Sequence, residues 1–364
     1  IRNAIAKRSY YRQQVKSFSC EVYGKDKLSL RSLPNKIFGQ KIESSDKKDM
    51  GLDSAGKGIL YLSESFSNVY FMEPDKLKTE VKSSRVSGSN SFGFTFPVFI
   101  SLYDNNVRIF DQLPGSRGYI SPIAEGALTY YKYKFLGTFW EDGRSINAIR
   151  VTPRRAYEPL FTGIINITDD DWRIHSFNLF LSKKSQLELL DTLRISQMHE
   201  PVGEDVWRVK NQVIDFSFKM LGISAGGKFL SVYSDYKINP QFGKNFFDRV
   251  VIKYDTAVTS RKKEYWDTVR PVMLEPEEQL DYRFKDSVFL ARQEEDKKVN
   301  VDSLRKKQGP LKPWKVISPG IERVHYGDSS RYYWGVQSLI GSTQYNPAEG
   351  VNTTFSGYFE KNLR

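Results

Sequence analysis

The sequence predicts a mainly β fold: a long, curved antiparallel meander, or half-barrel, accompanied by a few helices. The first indication is residues 130–181, where apolar and polar positions alternate with the period of two that is typical of strands. The second is the aromatic content of 14%, because Tyr and Phe pack well on a pleated, half-buried surface. The third is the length of the successive strands, since long twisted antiparallel strands in series must curl.

Turn-forming residues divide residues 130–181 into consecutive strands. In the first strand the aromatic residues share one face and the lysines occupy the other. The aromatic positions are Tyr131, Tyr133, Phe135 and Phe139, and the lysines are Lys132 and Lys134. Asp142 and Gly143 supply the first turn, because both residue types tolerate a positive φ. The predicted strands span residues 130–139, 145–152, 160–168 and 172–181.

The predicted pattern of strands and turns extends to the rest of the first 250 residues. Residues 1–17 have helical spacing of their apolar positions, through Ile1, Ala4 and Ile5. Residues 28–53 are polar and irregular, which predicts a long loop or a short helix. Further strands are predicted at residues 18–23, 58–65, 68–73, 77–86, 206–219 and 227–238, with the sheet ending near residue 239.

Composition divides the chain into three predicted parts. Residues 1–250 form the curved antiparallel β domain, residues 251–315 a charged helical linker, and residues 316–364 the start of an outer-membrane β-barrel. In the linker, acidic and basic residues suit a solvated helix with nearby opposite charges. These are Glu277, Glu278, Asp281 and Lys285. The alternating segments after residue 332 are typical of membrane β-strands, and an ordinary surface hairpin explains them equally well.

Charge and cysteine usage narrow the function classes. The formal net charge is +12, yet Lys and Arg are scattered along the chain and stand beside acids. Nucleic-acid binders cluster their basic residues on one face or arm, so we expect no nucleic-acid partner, and attraction to an anionic membrane surface fits better. The sole cysteine, Cys20, permits no internal disulfide.

Motifs for chemistry are missing from the sequence. His175 falls within a predicted strand as a structural histidine, His199 in a turn before Pro201, and His325 in the far segment, none with metal-ligand spacing. The run Asp169–Asp171 suits a hairpin turn better than a calcium site. We therefore expect that the protein is not an enzyme and that it has no catalytic residue, no bound metal and no cofactor.

The candidate binding residues are four phenylalanines in a Gly/Ser-rich and then aromatic stretch, residues 87–99. They are Phe92, Phe94, Phe96 and Phe99. Two interpretations remain open: the rings pack beneath the sheet as core, or they form a movable lip on an apolar pocket beside the flexible Ser87–Ser89. The leading helix offers few large apolar residues, so a concave sheet would need other groups or a ligand to fill it.

Several segments resemble one uncharacterised Bacteroidota outer-membrane family, whose members usually carry a carboxypeptidase-regulatory-like domain ahead of this region. The segments are GKGILYLSESFSNVYFMEPDKLKTEVKSSRVSGS, SPIAEGALTYYKYKFLGTFWEDGRSINAIRVTPRR, DDDWRIHSFNLFLSKKSQLELLDTLRI, EYWDTVRPVMLEPEEQLDYRFKDSV and QYNPAEGVN. The resemblance implies a fragment of a longer protein, without the regulatory-like domain and ending after the first barrel strands. The family has no established activity, so no site residue transfers.

The order of elements is also similar to the periplasmic lipoprotein carrier (LolA-like) half-barrel. A leading helix, a meander and the stretches PDKLKTEV, LYDNN and GIINITDDDWRI carry this likeness. It implies a curved sheet that wraps helices and encloses an apolar cavity; where it fails, an ordinary antiparallel sandwich remains.

Two functions follow from these expectations. In the first, residues 1–250 are the periplasmic, non-enzymatic part of an outer-membrane protein and bind a lipid, a lipoprotein or another envelope client. In the second, the chain is an interaction scaffold that docks other envelope proteins through its sheet edges. A cavity lined by rings from residues 92–99 favours the first, and a sheet interior filled by its own side chains favours the second.

Overall fold

The structure is a computed structural model, and a set of ranges defines the part of the chain that it describes. These are residues 1–34, 36–37, 40–44, 47, 50–93, 98–109, 118–187, 190–220, 222–247, 251–255, 258–297, 311–317, 320–326, 330–339, 342–346 and 350–363.

Strands dominate the described residues. In chain order they are β1 Ser17–Ser32, β2 Lys36–Ile37, β3 Gln40–Lys41, β4 Gly58–Met72, β5 Lys76–Val86, β6 Asn106–Val107, β7 Tyr119–Ile120, β8 Tyr131–Glu141, β9 Arg144–Pro153, β10 Thr162–Thr168, β11 Ile174–Ser182, β12 Thr192–Pro201, β13 Trp207–Met220, β14 Ile223–Ile238, β15 Ile252–Tyr254, β16 Gly320–Tyr326, β17 Ser330–Gln337, β18 Thr343–Asn346, β19 Gly350–Thr353 and β20 Gly357–Leu363. The helices are α1 Arg2–Gln13, α2 Ala127–Tyr130, α3 Lys263–Val269 and α4 Pro276–Lys297, with short 3₁₀ turns at Lys183–Ser185 and Pro313–Val316.

An eleven-stranded curved sheet organises the molecule, in the order β15-β5-β4-β1-β14-β13-β12-β11-β10-β9-β8. Neighbouring strands are antiparallel except at one edge, where β15 runs parallel to β5. The mainly β, curved antiparallel fold predicted from the sequence is therefore confirmed, and so is the run of four strands now numbered β8 to β11.

The structure departs from the prediction where polar residues occupy strands. Strand β1 continues to Ser32, although the sequence from residue 28 looked irregular. Strand β4 is continuous across residues 58–72, where two strands were expected. Strand β12 was missed, so His199 lies in a strand and not in the predicted turn.

One face of the sheet carries α1 and the segments 98–109 and 118–127. Ala4 of α1 is buried in the main core, and Ile1 and Ile5 pack against it. The rest of this core comes from these two segments, from the loop before β10 and from the sheet. Its members include Leu102, Ile123, Leu160, Ile165, Leu179, Leu193 and Ile195. The chain itself therefore fills this face over strands β8 to β13.

The opposite face carries α3 and α4. Side chains of β1 alternate between the two faces, with Val22 in an apolar cluster of the first face and Lys25 directed to α4. The prediction of a solvated linker helix is wrong for one side of α4, because Glu278 is only 1% exposed and its Oε2 accepts a hydrogen bond from Lys25 Nζ at 2.8 Å. Lys285 does pair with Asp281, at 2.7 Å, as the predicted charge spacing requires.

The described residues from 320 onwards form smaller sheets. Strands β16, β17 and β20 make one antiparallel sheet, and β18 and β19 a separate hairpin. His325 lies in β16. Within the described ranges, no helix combines the length and the apolar composition that crossing a membrane requires.

Candidate functional site

A cleft of about 730 Å³ opens between the C-terminal end of α1, the first residues of β1 and the segment 98–104. Strands β11 to β14 contribute its floor. Its lining includes aromatic residues (Tyr11, Phe18, Phe71, Phe99, Tyr103, Trp207 and Tyr233) and polar residues (Arg12, Glu73, Asp104, Arg173, His199, Arg208 and Gln212). The volume lies within the range of roughly 300–1,000 Å³ that is usual for small-molecule sites.

Phe99 is the centre of the aromatic end of the cleft. Its ring centroid lies 5.4 Å from that of Phe18, 6.0 Å from Tyr233 and 6.3 Å from Phe71. Phe18 is buried and Phe99 is partly exposed, so the rings form a wall and not a closed core. An apolar chain placed against this wall would lose water contact on one side.

The other predicted binding rings do not all join Phe99. Phe92 is half exposed and stacks on Tyr254, with ring centroids 4.3 Å apart, away from the cleft lining. Phe94 and Phe96 lie outside the described residues. The predicted lip beside residues 87–89 is tied to α4 at its start, because the Gly88 amide donates to Asp286 Oδ1 at 2.9 Å.

Two buried glutamines hold the segment that carries Phe99. Gln197 Nε2 donates to the carbonyl of Ile100 at 3.0 Å, and Gln212 Nε2 donates to the carbonyl of Val98 at 2.7 Å. Gln197 also donates to Gln212 Oε1. Because these bonds satisfy backbone carbonyls on either side of Phe99, they hold the backbone that carries its ring beside the cleft.

Arg173 anchors α1 to the sheet at the other end. It is buried and donates through Nε to Asp171 Oδ2 at 2.7 Å and through Nη1 to the carbonyl of Asp205 at 2.6 Å. Its guanidinium lies 4.4 Å from the ring centroid of Tyr11 in α1. Burial raises the pKa of Asp171, but hydrogen bonds from Thr168 and Arg173 outweigh it and leave the pKa below its ordinary value. This cation is fully compensated and serves the fold.

Arg208 is placed differently, at the aromatic end. Its guanidinium lies 4.4 Å from the ring centroid of Phe18 and 5.9 Å from that of Tyr236. Among the residues that the structure describes, no carboxylate pairs with it, and its Nε has no hydrogen-bond partner.

His199 also lines the cleft, from strand β12. Burial lowers its pKa to about 4, against a hydrogen bond with the His175 backbone, and the positive charge of Arg208 acts in the same direction as burial. Its imidazole is therefore neutral near pH 7. His175, in β11, is buried with its Nδ1 3.1 Å from Ser176 Oγ, which fits the predicted structural role.

A second, polar groove of about 500 Å³ adjoins the cleft and shares Arg12, Phe99 and Asp104 with it. Arg8 and Arg108 also line this groove. Arg12 pairs with Asp104 at 2.7 Å. The described residues contain no cluster of three or more acidic, histidine or cysteine side chains that could hold a metal ion.

Of the predicted binding residues, Phe99 lines the cleft, whereas Arg208, Gln197 and Gln212 were not singled out from the sequence. A signal existed for the glutamines: each has the same strand parity as a buried apolar residue two positions away, Ile195 and Ile214 respectively. A polar residue at a core-facing position of a strand needs a partner inside the protein, and that requirement marks such positions as candidates.

The model of a family of unknown function, DUF5686, matches residues 1–236. None of the curated proteins matches the chain in sequence.

Several solved structures are similar to the chain. A putative outer membrane lipoprotein-sorting protein domain from Vibrio parahaemolyticus is 9% identical, covers 68% of this chain and 96% of its own, and has a TM-score of 0.27. A LolA superfamily protein from Nitrosomonas europaea is 11% identical, covers 67% of this chain and 96% of its own, and has a TM-score of 0.23. A chain of the MucA/MucB complex of Pseudomonas aeruginosa is 11% identical, covers 69% of this chain and 95% of its own, and has a TM-score of 0.19. Likenesses at such low TM-scores carry no argument about function.

Proposed function

Since the chain belongs to DUF5686, a family of unknown function, we propose its role from the cleft: residues 1–250 are a non-enzymatic binding domain for the apolar part of a lipid, a lipoprotein or another envelope client. The observation that carries the proposal is the aromatic wall of Phe18, Phe71 and Phe99 along a cleft of about 730 Å³. Burial of an acyl chain there would stabilise the complex by about 0.8 kcal/mol per CH₂ group.

We place this domain on the periplasmic side of an outer-membrane protein. The support is the resemblance of the sequence to the Bacteroidota outer-membrane family with a carboxypeptidase-regulatory-like domain, together with the alternating strands after residue 332. Protease treatment of intact cells should leave residues 1–250 uncut until the outer membrane is permeabilised. Cleavage in intact cells would contradict this location.

The binding role is tested by native mass spectrometry of the protein extracted from its membrane. We expect a co-purified lipid or acylated peptide, and we expect Phe99→Asp to lose it because a charge at this wall opposes apolar burial. Phe92→Asp is the matched control, since the same residue type on the same segment lies outside the cleft. Circular dichroism should show that both variants fold.

Equal loss of lipid in both variants, or retention in both, would refute the role of the cleft. No co-purified lipid in the unaltered protein, together with no binding of added amphiphiles, would refute the lipid-binding function itself.

A second function has its own supporting observation. The core on the α1 face is filled by the chain over β8 to β13, and the edge strand β8 exposes 62% of Phe135 and 74% of Trp140. A scaffold that docks an envelope protein along β8 fits this edge. A photoreactive residue at position 140 that cross-links to one reproducible partner, in protein free of lipid, would favour this function over the first.

A further inference from the structure

Arg208 has an unusual environment for a positive charge. Its guanidinium stacks against Phe18, at 4.4 Å, where the apolar wall of the cleft begins. The acidic groups near it pair with other cations: Asp171 accepts from Arg173, and Glu200, which lies opposite Arg208 in the register of β12 and β13, pairs with Lys210 at 2.9 Å.

The other ionisable groups of the cleft do not neutralise Arg208 either. Asp104 pairs with Arg12 at 2.7 Å, and Glu73 is an exposed residue. Within the described ranges Arg208 has no ion pair, and its buried Nε makes no hydrogen bond. An aromatic face attracts a cation but gives only part of the stabilisation that an anion gives.

We propose that Arg208 anchors the anionic head of a single-chain amphiphile, a carboxylate or phosphate group, while the apolar chain lies along Phe18, Phe71 and Phe99. The proposal rests on the lipid-binding function above and specifies its ligand class. A guanidinium presents a planar fork of N–H donors that matches a carboxylate or phosphate in two hydrogen bonds. Placing that fork at the edge of an apolar wall selects a molecule with both features.

Four probes separate the parts of this ligand. Dodecyl phosphate and dodecanoate carry a charged head and a chain, dodecyl maltoside carries a neutral head and the same chain, and inorganic phosphate carries a head alone. We expect the unaltered protein to bind the two anionic probes more tightly than dodecyl maltoside, and inorganic phosphate to bind weakly. Isothermal titration calorimetry gives each dissociation constant.

Arg208→Gln removes the charge and keeps a hydrogen-bonding side chain. We expect it to weaken binding of dodecyl phosphate by about tenfold or more and to leave the dissociation constant of dodecyl maltoside unchanged. Arg194→Gln is the matched control, because Arg194 is an exposed arginine on β12 outside the cleft lining. It should leave all constants unchanged.

Salt supplies a readout that needs no variant. In the unaltered protein, raising the ionic strength should weaken the binding of dodecyl phosphate and leave the binding of dodecyl maltoside unchanged. This keeps the proposal testable if Arg208→Gln does not fold.

The outcomes distinguish this proposal from the function on which it rests. Equal affinity for the neutral and anionic probes, with no effect of salt or of Arg208→Gln, overturns the head-group role and leaves a purely apolar site. Inorganic phosphate that binds as tightly as dodecyl phosphate overturns the amphiphile and indicates a free-anion site. Failure of every chain-bearing probe to bind refutes the lipid-binding function as well.

Discussion

Glu64 is a carboxylate with no solvent exposure in the middle of strand β4. Arg270 donates to both of its oxygens, through Nε at 2.5 Å and Nη2 at 2.8 Å, and the Tyr23 hydroxyl donates to Oε1 at 2.7 Å. Replacing Arg270 by Met leaves this charge buried without a counter-ion. We expect a loss of about 3–5 kcal/mol in the free energy of unfolding, measured by urea denaturation.

The matched control for that change is the double variant Glu64→Gln with Arg270→Met. It removes the buried charge together with its partner, so it should recover much of the lost stability. A double variant no more stable than Arg270→Met alone would show that packing, and not charge, makes this site important.

His199 gives a residue-scale prediction about pH. Its pKa of about 4 in the folded protein lies below the value of about 6.5 for an unfolded histidine. Between these values the unfolded chain binds a proton that the folded protein does not, so the free energy of unfolding falls as the pH is lowered from about 6.5 to about 4. His199→Gln should flatten this part of the stability profile, measured by denaturant titration at several pH values; an unchanged slope would contradict the shift.

At the scale of elements, helix α4 stabilises the sheet by one side only. Tyr282 is 3% exposed and lies in a cluster with Ile59 and Leu62 of β4, with the Arg85 guanidinium 4.0 Å from its ring centroid. Leu280, on the same helix, is 63% exposed.

Tyr282→Ala should therefore cost about 3–5 kcal/mol of unfolding free energy, whereas Leu280→Ala should stay within about 0.5 kcal/mol of the unaltered protein. Urea denaturation of the two variants gives both values. Similar losses in the two would mean that α4 is held by something other than this buried side.

Strand periodicity explains how much of these elements the sequence predicts. Strand β5 was predicted at residues 77–86 and spans Lys76–Val86. Its first half alternates Leu77, Thr79 and Val81 with charged residues, and turn residues precede and follow it. Strand β12 escaped because His199, Glu200 and Pro201 resemble a turn, and β15 because three residues are too few for a period. Their positions depend on pairing with distant strands, which a local pattern does not contain.

In the candidate site, too, local patterns could be predicted from the sequence and contacts between distant strands could not. Phe99 was predicted because aromatic clustering is visible in the sequence. The pairing of Gln197 with Gln212 depends on the register of β12 against β13. Within the described residues Arg208 makes no ion pair, and this depends on how Glu200, opposite it on β12, pairs with Lys210. Neither property is local, so neither could be predicted.

At the scale of the whole molecule, the predicted boundary at residue 250 can be tested. Lys25 and Glu64 are buried against partners that lie beyond it, Glu278 and Arg270. In a chain ending after residue 250, these two charges would either become exposed to solvent or stay buried without a counter-ion. A chain ending after residue 297 retains both partners.

We expect the shorter chain to be less stable by several kcal/mol and to unfold at a lower urea concentration than the longer one. Equal midpoints for the two chains would support residues 1–250 as an independent domain and assign α3 and α4 no part in its stability.

The central place of β1 in the sheet also affects how the chain acquires its structure. One edge of β1 pairs with β4, which follows soon after it, but the other pairs with β14, so that Phe18 meets Ile238. During synthesis or export from the N-terminus, that second edge must wait for almost all of the sheet to emerge. Closing such distant pairs is slow, since the entropy of a long loop is lost before any contact forms. Until then β1 offers an unpaired edge with apolar side chains, which is the kind of surface that chaperones shield.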